Sequence, residues 1–117
     1  MKTESSATVF NVSSSSRSKK FYLEVLGFEV DFEFGNYVGV KYGNVYIHLN
    51  EADPGDRKIG SGSIYIFCDE VENYYHDIVS RGWETTGEPF RRPYDMLHFQ
   101  AVDPDGNLLC FGCPVSE

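Results

Sequence analysis

Short runs of alternating apolar and polar residues, separated by Gly, Asn, Asp and Ser, dominate this chain, and two helical runs interrupt them. Residues 7–12 (ATVFNV) are apolar and partly β-branched, which predicts a strand. Ser13, Ser14, Ser15 and Ser16 follow, any of which can cap a helix. Over 18–26 the residues Phe21, Val25 and Leu26 fall at helical spacing, and Gly27 ends the run. Residues 28–34 alternate, with Phe28, Val30, Phe32 and Phe34 expected on one side of a strand. Further strands are predicted at 37–42 and 45–50, joined by the hairpin signal Gly43-Asn44. Residues 51–62 are polar and rich in Gly and read as a linker.

The same order then returns. Residues 63–68 predict a strand, and Asp69 can cap a helix reaching about residue 81, with Val71, Tyr74, Tyr75, Ile78 and Val79 on its apolar face. Gly82 ends that helix, and residues 83–86 are expected to open the next strand. Strands at 96–102 and 108–111 flank the tight turn 103–107, Asp-Pro-Asp-Gly-Asn. Leu26-Gly27-Phe28 corresponds to Arg81-Gly82-Trp83. The chain therefore reads as α+β: one domain over residues 1–117 made of two βαβββ repeats, at about 7–50 and 63–113. One such unit cannot bury its sheet alone, and two can close around a shared cleft.

Composition narrows the classes of function. With 117 residues the chain can bury a core without disulfides or structural metal. Its formal net charge of −8 would be repelled by a phosphate backbone and attract a cationic small molecule, so no nucleic-acid partner is expected. Three cysteines, Cys68, Cys110 and Cys113, are too few and odd for a disulfide framework and fit a reducing compartment. The start lacks the apolar run of a signal peptide, and no stretch approaches the length of a membrane span. A cytoplasmic protein with no membrane partner is expected. The nine Phe and eight Tyr exceed what a minimal core needs, so part of this ring surface is available to line a pocket.

Phe21-Tyr22, Val25-Leu26-Gly27-Phe28 and Asp103-Pro104-Asp105-Gly106-Asn107 resemble the glyoxalase, bleomycin-resistance and extradiol-dioxygenase superfamily, the vicinal oxygen chelate proteins. The resemblance spans about residues 7–112 and implies a curled mixed sheet around a cleft. Metal-using members place His or Glu on four strands. Those positions fall here at Ala7, His48, Ser63 and Cys110, leaving His48 as a weak metal candidate and no cofactor expected. Near Tyr94-Asp95-Met96 and His98-Phe99 the chain is similar to the bleomycin-resistance branch, which sequesters a cationic antibiotic in clefts of a dimer. The resemblance thus implies a homodimer that binds a cationic or aromatic antibiotic or natural product without a catalytic step. The alternative is a divalent-metal lyase, isomerase or dioxygenase of the same superfamily.

Strand parity selects the expected ligand-binding residues. If His48 faces the cleft, so does Tyr46; if Ser63 does, so do Tyr65 and Phe67. Val9, Asn11, Met96 and His98 join them by the same parity. Tyr37, Phe90 and Tyr94 sit in or beside turns and are expected at the rim. Asp95 is expected to meet a positive group, and Cys110 to line the wall or fill the core. His76 reads as a surface residue, and no activated nucleophile stands out.

Overall fold

The aliphatic positions of each repeat need a cover, and in each repeat one helix supplies it. The computed structural model describes residues 1–115. Its elements are β1 (Thr8–Val12), α1 (Ser15–Glu24), β2 (Glu29–Phe34), β3 (Tyr37–Tyr42), β4 (Val45–Glu51), β5 (Ser63–Phe67), α2 (Val71–Ser80), β6 (Phe90–Arg91), β7 (Met96–Val102) and β8 (Leu108–Pro114). The strands form two four-stranded sheets of matching order, β1-β4-β3-β2 and β5-β8-β7-β6. In each sheet the first strand runs parallel to the last, and the remaining pairs are antiparallel. The fold is α+β with a duplicated βαβββ unit. No helix among the described residues is long and apolar enough to cross a membrane.

Several local expectations need correction. Helix α1 opens from the serine run ahead of the apolar-spaced segment, with Ser14 among the expected caps: Ser14 Oγ accepts from Arg17 N–H at 3.2 Å. After α1 the chain reverses at Gly27, whose φ of +78° suits glycine, and the Phe28 N–H donates to the Tyr22 carbonyl at 2.9 Å. Asp69 does not cap α2. The N-cap is Glu70, held at φ +49° with no side-chain cap bond. Val79 is exposed, so the apolar face of α2 is narrower than expected.

Strand β2 does not keep Phe28, Val30, Phe32 and Phe34 on one side. Val30 pairs with Val40 and Phe32 with Gly39, so Asp31 is an extra residue in a β-bulge. The bulge sends Phe32 and Phe34 to the face opposite Phe28. Residues 83–86 form no strand beyond the single bridge Thr85–Ala101. The Trp83 ring packs on Phe21 at 4.6 Å, and its Nε1 donates to the Val102 carbonyl at 2.9 Å. The strand begins only after Pro89, at Phe90. Strand β8 extends past residue 111 because Cys113 and Pro114 pair with Leu97 and Met96.

One hydrophobic cluster serves both repeats. Phe10, Ile47, Leu49 and Val40 from the first sheet meet Ile66, Phe99, Leu109 and Phe111 from the second, with Tyr22, Leu26 and Ile78 near the helices. These strand positions share one parity, so the core lies on the helix side of both sheets. The turn 103–107 does more than reverse the chain. Asp103 Oδ1 accepts from the N–H groups of Asp105 and Asn107, and Oδ2 accepts from Asn107 Nδ2 and the Tyr22 hydroxyl, at 2.9 to 3.1 Å. Asn107 also donates to the Asn11 carbonyl and accepts from Gly62 N–H. Burial, reinforced by the Asp103 carboxylate, holds the Tyr22 hydroxyl well above its ordinary pKa.

This network joins α1 and β1 to the second repeat. Removing its hub strands buried partners, so Asp103→Ala should cost about 3 kcal/mol in urea unfolding. Ser13→Ala, which removes an exposed bond to Asp105, should stay within about 0.5 kcal/mol.

Candidate functional site

With one parity committed to the core, the opposite parity lies on the helix-free face of each sheet. The first sheet presents Phe32, Tyr37, Gly39, Tyr46 and His48 there, beside Val9 and Asn11 of β1. The Tyr37 hydroxyl lies 2.9 Å from His48 Nδ1. The Phe32 ring stands edge-on to His48 at 5.0 Å and stacks on Tyr37 at 6.1 Å. Gly39 makes this possible: a Cβ at that position would collide with the Phe32 ring. Asn50 Nδ2 donates to Asn11 Oδ1 at 3.0 Å and fixes the neighbouring polar edge.

The second sheet carries a larger cluster. His98 is buried, with Nδ1 3.4 Å from the Tyr65 hydroxyl. The Phe90 ring stands edge-on to His98 at 5.0 Å, and Tyr94 lies 6.5 Å away. Tyr65 in turn meets Phe67 at 5.0 Å. Gly112 leaves the space that the Tyr65 hydroxyl fills. The Arg92 guanidinium lies 5.3 Å from the Phe90 centroid and 5.6 Å from that of Tyr94. Burial, and then the nearby Arg92 charge, pull the His98 pKa below its ordinary value, so the imidazole is neutral at pH 7. Burial raises the Tyr65 hydroxyl and the Cys110 thiol, keeping both protonated.

The structure therefore gathers Tyr37 with His48 in one cluster, and Tyr65, Phe67, Phe90, Tyr94 and His98 in another. Tyr46 lies elsewhere, lining with Tyr65 and Phe67 a hollow of about 520 Å³ where the two sheets meet. Met96 is half-buried at the start of β7, and Cys110 is buried in register with Tyr65 and Gln100. Asp95 stands in a turn at φ +59°, its carboxylate 2.7 Å from Arg91. Its charge is already matched within the chain.

Phe32, Phe34 and Arg92 escape the sequence reading. Simple alternation hides the first two, because it keeps them on the side of Phe28 until the bulge is known. Arg92 stands within an arginine pair that reads as solvated surface. The glycines opposite rings, Gly39 and Gly112, are the signal that could have marked both clusters. A second cavity, of about 180 Å³, lies on the helix side between the repeats, with Phe28, Tyr42, Tyr74 and Phe111 in its wall.

The residues present do not fit a divalent ion. The register places Val9, rather than Ala7, beside His48, and Tyr65, rather than Ser63, beside Cys110. Val9 has no donor atom, which leaves His48 with too few partners of ligating type for the three or four bonds that a divalent ion needs. Among the described residues no three His, Cys, Asp or Glu side chains converge as a ligand set.

Comparison with known proteins agrees with this fold. The sequence model of the Glyoxalase/Bleomycin resistance protein/Dioxygenase superfamily matches residues 6–111. No curated protein matches the chain. Among solved structures, a superfamily member from Sphaerobacter thermophilus is similar at 23% identity and TM-score 0.82, over 96% of this chain and 98% of its own. TnmS3, an antibiotic binding protein from a Streptomyces species, is 24% identical with TM-score 0.80, over 97% of this chain and 98% of its own. A lactoylglutathione lyase from Agrobacterium tumefaciens is 21% identical with TM-score 0.78, over 96% and 94%. At these identities the neighbours establish the fold rather than a shared activity. With the sequence match covering both repeats and the duplicated sheets in place, the chain belongs to the glyoxalase/bleomycin resistance protein/dioxygenase superfamily.

Proposed function

We propose that the helix-free faces bind and sequester a small organic molecule, a cationic or aromatic antibiotic or natural product, with no metal and no bond made or broken. One observation carries this reading. Phe34, Phe67, Phe90 and Tyr94 are 82%, 75%, 47% and 56% exposed, and all belong to the helix-free faces or their rim. Such rings on the helix-free faces of a small protein form apolar surface that calls for an occupant. Flat ligand rings stack on such side chains with about 0.5–1.5 kcal/mol each beyond area burial. The net charge of −8 favours the approach of a cation. A neighbour of the same fold is named for antibiotic binding, which supports the same class of ligand.

A homodimer fits this reading. The radius of gyration is 14.7 Å, whereas a closed domain of this length has about 13 Å. A second copy laid on the ring-bearing faces would enclose a ligand between the two chains.

Calorimetric titration with planar aromatic antibiotics, cationic and neutral, is the test. Heat rather than Trp83 fluorescence is the right readout, since Trp83 packs against Phe21 in the helix-side core. Saturable binding is expected, weakened about three- to tenfold by Phe67→Ala and unchanged by Val79→Ala on the exposed side of α2. An unaltered affinity in Phe67→Ala would place the ligand elsewhere. Light scattering should give about twice the chain mass of 13.3 kDa, and a monomer at all concentrations would contradict the dimer. The competing reading, a divalent-metal lyase, isomerase or dioxygenase, depends on His48. Elemental analysis of purified protein should find no stoichiometric metal, and a bound ion lost in His48→Ala would favour the enzyme.

A further inference from the structure

The second ring cluster contains two buried nitrogen atoms that nothing among the described residues satisfies. His98 is 3% exposed, and its Nε2 has no hydrogen-bond partner among the described residues. Arg92 Nε is in the same condition. A buried donor without an acceptor costs free energy that folding does not recover, so such atoms in a native protein call for a partner.

Acidic partners are not scarce here, with 18 Asp and Glu against 10 Lys and Arg. The other half-buried cations, Lys19 and Lys41, take Glu33 and Glu29. Arg91, the preceding residue, holds Asp95. Arg92 forms no ion pair among the described residues, and its guanidinium spreads over the Phe90 and Tyr94 rings instead.

The strands bring these groups together. Phe90 pairs directly with His98 across β6 and β7, and Arg92 lies two residues beyond Phe90, on the same face by alternation. The Arg92 N–H donates to the Met96 carbonyl at 2.7 Å and holds the hairpin that carries it. The Tyr65 hydroxyl lies 3.4 Å from Nδ1, and in the tautomer where it donates there, the neutral imidazole carries its hydrogen on Nε2. Two N–H donors of the cluster then lack acceptors, one of them on a cation.

We infer that Arg92 and His98 form a socket for the carboxylate of an aromatic acid, whose ring lies against Phe90 and Tyr94. The inference rests on the binding reading above and narrows it. Both rings are about half exposed. The overall acidic field governs long-range approach. The socket acts at contact distance, where a half-buried guanidinium is poorly screened.

The test uses the full chain and three probes of one shape: 2-naphthoate, neutral 2-naphthalenemethanol and cationic 2-naphthylmethylammonium, titrated by calorimetry. The naphthoate is expected to bind at least about tenfold more tightly than either of the others. Arg92→Leu should erase that advantage and leave the affinity for the alcohol within about twofold, and Arg92→Lys should keep part of it. Retained NMR dispersion in both variants separates loss of the socket from loss of the fold. Equal affinity for all three probes, or a carboxylate preference that survives Arg92→Leu, would overturn the socket and leave the ring-face reading standing. Absence of saturable binding by every probe would overturn both.

Discussion

The buried carboxylate of Asp103 is the point on which the two repeats are joined. It accepts hydrogen bonds from its own turn, from Asn107 and from Tyr22 of the first helix. Asn107 carries the connection to Asn11 of the first strand and Gly62 ahead of the fifth. An ionised group at this depth is tolerable only because each of its lone pairs has a donor. The consequence reaches beyond the turn. Once α1 is tied to the second repeat, Phe21 meets Trp83, the Tyr74 hydroxyl reaches the Leu26 carbonyl, and both sheets share one core on their helix side. The other face of each sheet is then left without a helix to cover it.

The duplicated architecture was legible because its signals are local. Gly27 and Gly82 supply the positive φ that reverses a chain after a helix, and the parity of Ile47 and Leu49 against Tyr46 and His48 follows from pleating alone. The ring clusters were legible only in part. Tyr37 and His48, or Phe90 and His98, are far enough apart in sequence that their contact depends on register, which pattern does not determine. The bulge at Asp31 inverted the expected side of Phe32 and Phe34, and no residue type announces a bulge of this kind. Residues 83–86 have strand-like composition, yet the Trp83 ring is captured by α1 and Val102. Tertiary packing there overrides local preference.

The chemistry at the two faces differs in a way composition conceals. The first cluster is internally satisfied, with Tyr37 and His48 hydrogen-bonded and Phe32 seated on Gly39. In the second, Arg92 Nε and His98 Nε2 have no hydrogen-bond partner among the described residues, and the Arg92 guanidinium lies against two half-exposed rings. A chain of net charge −8 thus places one cation, Arg92, against two rings of a helix-free face. Burial raises the Cys110 thiol and lowers the His98 imidazole from their ordinary pKa values, so both favour their uncharged forms on this face.

Backbone NMR of the protein titrated with an aromatic ligand asks the central question in one experiment, by showing which amides shift. The account predicts shifts at Gly39, His48, Tyr65, His98 and Gly112, on the helix-free faces. Shifts confined to Phe28, Cys68 and Tyr74, around the cavity between the repeats on the helix side, would contradict it.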